Sequence, residues 1–386
     1  MRLPTVSVAH FDGCTTHDYQ AGVEAALSYL GSIGRFVKPG QRVLLKPDLM
    51  YDYPGGCGYT SSPQFVAAVA RAVSDVGAAV IVGDSPFVLR GNITDFWRVA
   101  GILDAAEQGH FELVNFEMSG SQAVALETRV YYISRAVLEA DAVINLPRLK
   151  YDRWTGFAGG IRNMLGTLPG FQKGRLYKEV SGGRELADIM VDIFSVVRPV
   201  LTIAEAVPVN LDETSLSRGG AYIVASSDTV AIDTVLSEML RLDQTKIHTT
   251  RAAADAGLGI GWAEAIRLAG SPLNLTGNEF RQHSPVGRKA VLRKMARGIV
   301  EPYVWMKSSV NGDLCSGCGT CLDSCPTKAI QMPVGTSTPR INYNLCICCW
   351  AGLANCPTQA IYLEESRAVR KLFPVSSHSR DATSIS

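Results

Sequence analysis

Short apolar runs alternate with longer amphipathic segments along the part of the chain that precedes a cysteine-rich segment. The runs are rich in β-branched residues and have strand length, whereas the segments between them have helical spacing. The runs that we predict to be strands are Arg42–Lys46, Ala79–Asp84, Ala142–Leu146, Val200–Ala204 and Ala221–Ala225. Continuous apolar strands suit a sheet that is buried on both faces. The pattern therefore predicts an α/β domain, with a mostly parallel sheet and helices on both faces.

Three segments of the chain predict helices. Pro63–Val76 has helical spacing, and Thr229–Leu242 follows the polar residues 226–228, which can cap a helix N-terminus. Gly287–Lys307 interleaves basic and apolar residues, which predicts an amphipathic helix that links two domains. A helix lying on a membrane surface is the alternative interpretation of this last segment.

The charge of the chain is almost balanced, with 37 Lys and Arg against 36 Asp and Glu. Nucleic-acid binding draws much of its affinity from neutralised phosphates, so this balance predicts no nucleic-acid partner. No apolar run approaches the roughly 20 residues that span a bilayer, and the first residues lack the charged and apolar regions of a signal peptide. We therefore expect a cytoplasmic protein with no membrane span.

Eight of the ten cysteines lie between Cys315 and Cys356, which is unlike the even spread of a disulfide framework and indicates metal binding. The first four have the spacing Cys315-x2-Cys318-x2-Cys321-x3-Cys325, followed by proline. This is the motif of bacterial ferredoxins, in which three thiolates bind one [4Fe-4S] cluster and the fourth reaches a second cluster. A zinc ribbon would instead need two Cys-x2-Cys pairs set well apart.

The cysteine segment is an internal repeat. The hexapeptide CPTKAI, which begins at Cys325, returns as CPTQAI, which begins at Cys356. Three cysteines of the first half recur 31 residues later in the second: Cys315, Cys318 and Cys325 correspond to Cys346, Cys349 and Cys356. The segment is therefore a duplicated half-ferredoxin that is expected to bind two iron-sulfur clusters.

The two predicted clusters differ in their ligands. Crossed ligation gives cluster one a full set of thiolates, namely Cys315, Cys318, Cys321 and Cys356. Cluster two is left with Cys325, Cys346 and Cys349, because the 31-residue shift carries Cys321 onto Gly352.

Three alternatives remain for the second cluster: a [3Fe-4S] cluster, a [4Fe-4S] cluster with one open iron, or recruitment of Cys348 as the fourth ligand. We favour an incomplete cluster, because Cys348 lies between two ligands and its side chain is expected to project in another direction. The predicted cofactors are thus one [4Fe-4S] cluster and a second cluster of the [4Fe-4S] or [3Fe-4S] type.

These patterns divide the chain into four parts. Residues 1–283 are predicted to form the α/β domain, and residues 284–308 the linking helix. Residues 309–365 are predicted to form a small α+β ferredoxin-like domain that binds two clusters. Residues 366–386 have too little apolar content to bury, so we expect a disordered tail.

Polar and charged residues of the α/β domain mark a candidate pocket. Most of them lie at or just after the ends of predicted parallel strands, where open α/β sheets place their ligands. These residues are Lys46, Asp48, Asp84, Ser85, Lys150, Arg162 and Asn163. The three cations among them suit an anionic small molecule such as a carboxylate or a phosphate. As catalytic candidates we select Lys46, Asp48, Lys150, Arg162 and Asn163.

Six segments together resemble the bacterial and archaeal family called domain of unknown function 362. They are VLLKPDLM at 43–50, SSPQFVAAVARAV at 61–73, VGDSP at 82–86, INLPRLK at 144–150, GGIRNMLGTLPG at 159–170 and SSDTVAID at 226–233. Members of this family often carry a bacterial-type ferredoxin module at the C-terminus. The resemblance implies an iron-sulfur redox protein and no particular reaction.

Our leading hypothesis is an iron-sulfur oxidoreductase whose ferredoxin module passes electrons to an anionic small molecule in the α/β domain. One alternative is a non-catalytic electron-transfer or accessory protein that docks on a partner redox enzyme. Another is a lyase or hydratase that uses an open iron of the second cluster. The first two hypotheses require an electron donor or acceptor protein as a partner.

Overall fold

The fold is given by a computed structural model, which describes residues 3–13, 15–49, 60–86, 93–152, 155–180, 182–207, 221–273 and 305–367. The strands are β1 Thr5–Phe11, β2 Arg42–Pro47, β3 Ala79–Asp84, β4 Glu112–Asn115, β5 Ser121–Ala125, β6 Val130–Ser134, β7 Ala142–Leu146, β8 Lys150–Asp152, β9 Gly156–Ala158, β10 Leu201–Ala206, β11 Ala221–Ser226, β12 Arg267–Gly270, β13 Met306–Val310, β14 Ile330–Gln331, β15 Arg340–Ile341 and β16 Ile361–Glu365.

The α-helices are α1 Thr16–Ser28, α2 Pro63–Ser74, α3 Ile93–Val99, α4 Ile102–Gly109, α5 Arg135–Leu138, α6 Gly160–Asn163, α7 Gln172–Glu179, α8 Gly183–Val197, α9 Thr229–Met239, α10 His248–Asp255, α11 Thr320–Asp323 and α12 Ala351–Ala354. Short 3-10 helices cover Ile33–Arg35, Met164–Thr167, Gln244–Lys246 and Ala263–Ala265. Within the described ranges, no helix is both long enough and apolar enough to cross a bilayer.

The α/β domain is built on one eight-stranded sheet with the order β12-β1-β11-β10-β7-β2-β3-β4. Five of its neighbouring pairs are parallel, and the two pairs that include β11 are antiparallel. The prediction of a mostly parallel sheet is therefore confirmed. Two predicted strands, Ala79–Asp84 and Ala142–Leu146, have the bounds that the sequence pattern indicates.

Helices cover both faces of this sheet, as the continuous apolar strands predict. In β2, Val43 and Leu45 pack with Phe65 of α2 on one face. Leu44 points to the opposite face, where it packs in a core that includes Met190 of α8. Successive side chains of a strand alternate between the two faces, so an apolar run such as this one serves both cores.

The predicted cap of α9 is present, because the Asp228 side chain accepts hydrogen bonds of 2.9 Å from the backbone N–H groups of Val230 and Ala231. The helix ends at Met239, earlier than the expected end at Leu242. The chain leaves the helix there because Arg241 takes a left-handed conformation, with φ of 51°.

The C-terminal domain is a small α+β unit. Strands β13 and β16 pair with each other, as do β14 and β15, and the cysteine motifs surround the short helices α11 and α12. The predicted linking helix over 284–308 needs a correction at its end, because Met306 already pairs with Glu365 in the β13–β16 ladder. The rest of that helix, up to residue 304, lies outside the described residues. The predicted tail over 366–386 needs a correction at its start, because Ser366 is buried and its N–H donates a 3.0 Å hydrogen bond to the Trp305 carbonyl. The tail beyond residue 367 lies outside the described residues.

Candidate functional site

The four thiols that the sequence assigns to cluster one line one cavity in the C-terminal domain. They are Cys315, Cys318, Cys321 and Cys356. Among the described residues, no three His, Cys, Asp or Glu side chains converge on a point that a single metal ion could occupy. Ligands of a [4Fe-4S] cluster stand further apart because each thiolate binds a different iron. The four thiols share one cavity, as the ligands of a single cluster must.

The three thiols that the sequence assigns to cluster two also lie together. Burial raises the pKa of the Cys349 thiol to about 12, and the neighbouring thiols of Cys325 and Cys346 act in the same direction. Cys325 and Cys349 are buried, and Cys346 is half-buried. A cluster held by these thiolates would therefore be more shielded from solvent than one at the first set, where Cys318 is exposed.

Backbone hydrogen bonds support the crossing cysteine of each motif in the same way. The N–H of Ala329 donates to Cys325 Sγ over 3.2 Å, and the N–H of Ala360 donates to Cys356 Sγ over 3.2 Å. Hydrogen bonds to sulfur stabilise the negative charge of a thiolate and tune the reduction potential of an iron-sulfur cluster. The 31-residue repeat of the sequence is thus a repeat of local geometry.

Gly352 takes the place in α12 that Cys321 takes in α11. A Cβ atom at Gly352 would lie 2.6 Å from Cδ1 of Ile330 and 3.4 Å from Cδ1 of Ile361. Ile330 and Ile361 are themselves related by the repeat, and Ile361 lines the cluster-one cavity. By the repeat, Ile330 is expected to line the space of cluster two as Ile361 lines that of cluster one. Gly352 lies against Ile330, and as a glycine it supplies no thiolate there.

Cys348 takes the position that Gly317 has in the first half of the repeat. Both residues are left-handed, with φ of 58° at Cys348 and 72° at Gly317. The Cys348 thiol is half-buried, and its hydrogen bond to Cys346 raises the pKa of Cys348. Cys348 also packs against the apolar core of the α/β domain. The second motif thus places an extra thiol between a predicted ligand and the large domain.

Trp350 is a second left-handed residue in this loop, with φ of 61°, where the first half of the repeat has Gly319. Its ring is 3% exposed and stacks on the Phe171 ring of the α/β domain, with centroids 6.4 Å apart and an angle of 9° between the planes. A non-glycine residue in this conformation costs about 1–2 kcal/mol, which the burial of the large ring offsets. The substitution of glycine by Trp350 therefore joins the two domains.

Backbone contacts complete this junction. The N–H of Phe171 donates a 2.8 Å hydrogen bond to the Cys348 carbonyl, and the Arg175 guanidinium donates to the Cys346 carbonyl. Gly170 has φ of 66°, and a Cβ there would lie 2.7 Å from the carbonyl carbon of Cys349. Only glycine allows this close approach. The end of the GTLPG sequence, at Gly170, thus brings the backbone of the α/β domain into contact with the second cysteine motif.

The predicted pocket at the carboxyl edge of the sheet is a cluster of buried ion pairs. The pairs are Lys46–Asp84 at 2.7 Å, Lys150–Asp48 at 2.7 Å, Arg148–Glu205 at 2.9 Å and Arg162–Asp152 at 2.9 Å. Asn163 binds Lys46, because its Oδ1 accepts a 3.0 Å hydrogen bond from Lys46 Nζ. The structure therefore brings the five catalytic candidates into one region, in which each of the three cations among them has a carboxylate partner.

Burial shifts the protonation equilibria of two members of this ion-pair cluster, Lys150 and Asp84, towards their neutral forms. It lowers the pKa of Lys150, and the neighbouring Arg162 and Arg148 add to that effect while Asp48 opposes it. It also raises the pKa of Asp84, against the opposing effect of Lys46. Acids and bases with perturbed pKa values concentrate at functional sites.

Sequence reasoning missed three further buried members of this edge: Glu117, Arg148 and Lys173. Lys173 Nζ donates to the Ser85 carbonyl at 2.8 Å, to Ser85 Oγ at 3.0 Å and to the Leu168 carbonyl at 2.7 Å. Glu117 follows β4, a strand too short to stand out in the apolar pattern. A polar residue just after a strand end was the signal available for Glu117, and no comparable signal marked Lys173.

Comparisons with known proteins identify a family for each of the two domains. The family described as domain of unknown function (DUF362) matches residues 43–238, and the 4Fe-4S binding domain matches residues 309–331. A thylakoid-associated protein of Synechocystis sp. is 30% identical over 259 residues, which are 64% of this chain and 80% of that protein.

Among solved structures, the lactate racemase apoprotein from Thermoanaerobacterium thermosaccharolyticum superposes with a TM-score of 0.41 and 11% identity, over 61% of this chain and 57% of that chain. The chain belongs to the DUF362 family. Its 4Fe-4S binding domain makes it an iron-sulfur protein with at least one cluster.

Proposed function

We propose that this iron-sulfur protein passes electrons from its C-terminal domain to an anionic small molecule held at the buried ion pairs of the α/β domain. The observation that carries the proposal is the junction between Phe171 and Cys348, where the second cysteine motif lies directly on the large domain. Two clusters in a row would form a path that ends at this junction. The clusters would supply single electrons, and every other step would be performed by residues of the chain.

Exposure of the thiols supports a direction for this path. Cys318 of the first set is exposed, whereas Cys349 of the second set is buried near Gly170. An electron donor protein can approach the first set closely, while the second set faces the α/β domain. We therefore place the partner at the first set and the substrate beyond the second.

The ion-pair cluster supports a substrate that takes up protons as well as electrons. Lys150 and Asp48 form a buried pair of opposite charge, and burial lowers the pKa of Lys150, so that its ammonium gives up a proton more readily. An anionic substrate that displaces Asp48 would contact the Lys150 ammonium, which could then donate a proton. Lys46 and Asn163 would hold the adjacent part of the site in place.

The experiment follows reoxidation of the dithionite-reduced protein by fumarate and by pyruvate, with iron content measured in each sample. We expect at least one of these probes to reoxidise the wild type, and the Lys150→Met variant to react at least tenfold more slowly at equal iron content. Equal rates in the variant and the wild type would contradict a substrate site at Lys150. A parallel Arg71→Ala variant, changed at an exposed ion pair, controls for general effects of charge.

A second candidate function is a non-catalytic electron carrier or accessory protein that docks on a partner enzyme. It is favoured by the internal neutralisation of the ion-pair cluster, in which each predicted cation already contacts a carboxylate. In that case neither probe would reoxidise the protein, while electron transfer to a partner would be unaffected by Lys150→Met.

A third candidate, an open-iron lyase or hydratase, is favoured by the missing thiolate at Gly352. A cluster bound by three thiolates could leave one iron able to bind substrate. The variant that supplies a thiolate at this position, described in the Discussion, separates this candidate from the other two.

A further inference from the structure

A chain of hydrogen bonds runs from Lys173 through Ser85 and Glu117 to the domain junction. Lys173 Nζ donates to Ser85 Oγ over 3.0 Å, and Ser85 Oγ donates to Glu117 Oε1 over 2.6 Å. The N–H of Gly170 donates to Ser85 Oγ and to Glu117 Oε1, each at a distance of 3.0 Å. Gly170 is the residue whose backbone lies against Cys349, and the next residue binds the Cys348 carbonyl. The network therefore ends at Gly170, which contacts the second cysteine motif across the domain junction.

The three side chains of this network are deeply buried, with 2% of each exposed. One carboxylate oxygen of the group, Glu117 Oε2, has no hydrogen-bond partner among the described residues. A buried carboxylate oxygen without a partner costs folding free energy, so its retention calls for an explanation. A network kept only for stability would satisfy both oxygens.

The opposite end of the network reaches the ion-pair cluster. Asp84 directly precedes Ser85 in the chain and pairs with Lys46. The charged groups that act on Lys173 from neighbouring elements are Glu117, Asp84 and Lys46. On its own helix, Arg175 is directed away to the Cys346 carbonyl. Lys173 thus lies between the second cysteine motif and the proposed substrate site.

We propose that Lys173 binds the proton that accompanies an electron arriving at the second cysteine set, and that Glu117 is the positioning residue that links this proton to Gly170. The inference rests on the proposed function, because it assumes a cluster at that set. The electron comes from the reductant, which is dithionite in the test below. The proton comes from water, which leaves hydroxide, and it forms the third N–H bond of an amine that was neutral before reduction.

Electrostatics determines whether reduction raises or lowers the affinity of Lys173 for a proton. Burial lowers the pKa of Lys173 to about 8, and the carboxylates of Glu117 and Asp84 oppose that decrease. Above this pH the amine is neutral in the oxidised protein. An added electron brings a negative charge nearby, which raises the affinity of the amine for a proton. Reduction above about pH 8 is therefore coupled to proton uptake, whereas reduction below it is not.

The test is a redox titration of the full-length protein with dithionite between pH 7 and pH 9.5, in which EPR follows the signal of the second cysteine set. We expect a constant midpoint potential up to about pH 8 and a fall above it, by about 59 mV for each tenfold decrease in proton concentration. In Lys173→Met the potential should not depend on pH over this range. A wild-type potential that is independent of pH, or an unchanged slope in Lys173→Met, would overturn the proposal.

A second variant keeps the test informative if Lys173→Met does not fold. Glu117→Gln preserves the shape of the side chain and removes its negative charge, so the pKa of Lys173 should fall. The pH above which the midpoint potential begins to fall, which is the bend in the plot of potential against pH, should then be lower than in the wild type. An unmoved bend in Glu117→Gln would contradict the proposed link. Asp192→Asn, which alters a carboxylate bound to Tyr131, is the matched control and should behave like the wild type.

These readouts need no substrate, so they are independent of the reoxidation assay. A midpoint potential that does not depend on pH, together with normal reoxidation by fumarate or pyruvate, would contradict the role of Lys173 and leave the proposed substrate site unaffected. Reoxidation that does not depend on Lys150, combined with a pH-dependent midpoint potential, would contradict the proposed substrate site and leave the role of Lys173 unaffected.

Discussion

The backbone N–H of Phe171 donates a 2.8 Å hydrogen bond to the carbonyl of Cys348, which joins the α/β domain to the second cysteine motif. At two positions of this loop, Cys348 and Trp350 stand where the first motif has glycines of the same left-handed conformation. The two halves of the repeat have therefore diverged where the second half meets the large domain. The first half keeps its glycines and an exposed thiol at Cys318.

Gly170→Ala should disrupt this junction. Alanine is strained at φ of 66°, and its Cβ would lie 2.7 Å from the Cys349 carbonyl carbon, a backbone atom that cannot simply move aside. We expect faster amide hydrogen exchange in the second cysteine motif and a loss of stability greater than the roughly 1–2 kcal/mol of the conformational strain.

Gly257→Ala is the matched control for this change. Gly257 has φ of 69°, and no atom lies within 4 Å of the position of its added Cβ. This variant should lose only the strain energy and leave exchange in the cysteine motif unchanged. Equal effects of the two substitutions would show that Gly170 matters for its conformation alone and not for the junction.

Gly352→Cys should supply the thiolate that the second set lacks. The added Cβ would lie 2.6 Å from Cδ1 of Ile330, so the substitution is best combined with Ile330→Val, which removes that atom. We expect the double variant to bind about eight irons per chain as two four-iron clusters. Iron and sulfide analysis with EPR provides the measurement, and Ile330→Val alone is the control.

The same double variant tests the open-iron hypothesis. If substrate turnover survives in the double variant, no open iron is needed for the reaction. If turnover disappears while electron transfer from dithionite remains, the lyase or hydratase hypothesis is supported instead.

Lys46→Met should destabilise the α/β domain by about 3–5 kcal/mol, because it leaves the buried carboxylate of Asp84 without its cation. Adding Asp84→Asn should recover part of this loss, since the uncompensated charge disappears. Urea unfolding of both variants measures the difference. Arg71→Ala breaks an exposed ion pair of 3.9 Å and should cost less than about 1 kcal/mol. A double variant no more stable than Lys46→Met would contradict the charge-pair explanation.

Asp233 should make stability depend on pH. Its carboxylate accepts hydrogen bonds from the backbone N–H groups of Gly160 and Ile161, yet burial raises its pKa to about 7. Because the folded state then binds the proton more tightly than the unfolded state, the contribution to stability is largest at low pH. It decreases as pH rises towards 7.

Relative to Asp233→Asn, the wild type should therefore lose about 2–3 kcal/mol between pH 5 and pH 8. Unfolding in urea at the two pH values measures this change. The exposed Asp255→Asn substitution should give a difference that does not vary with pH. A pH-independent difference for Asp233→Asn would show that this carboxylate is ionised throughout.

Much of the fold was predictable because the strands of the parallel sheet are apolar on both faces. The run at Ala142–Leu146 has the strand bounds that its composition indicates, since each of its residues is buried. The pairing of β1 with β11 and β12 was not predictable, because it joins segments more than two hundred residues apart. No local pattern encodes the partner of a strand.

The site was predictable only where the chemistry is local. The 31-residue repeat predicts both cysteine sets, because the ligands of ferredoxin-type clusters follow one another closely in the chain. Lys46 was found because it lies at the end of β2, and Lys150 because it follows β7 closely, although it begins β8 and does not end a strand. Their carboxylate partners and the Lys173 network depend on which strands are neighbours in the sheet, so a linear pattern could not reveal them.

The most direct test of the account is iron and acid-labile sulfide analysis with EPR on the anaerobically purified full-length protein, before and after reduction with dithionite. The account predicts two clusters, with about seven irons per chain if the second is of the [3Fe-4S] type and about eight if it is of the [4Fe-4S] type. It also predicts that Cys321→Ser perturbs one EPR signal and Cys349→Ser the other. About four irons per chain, with all signals lost in one of these variants and none changed in the other, would contradict a path of two clusters leading to the α/β domain.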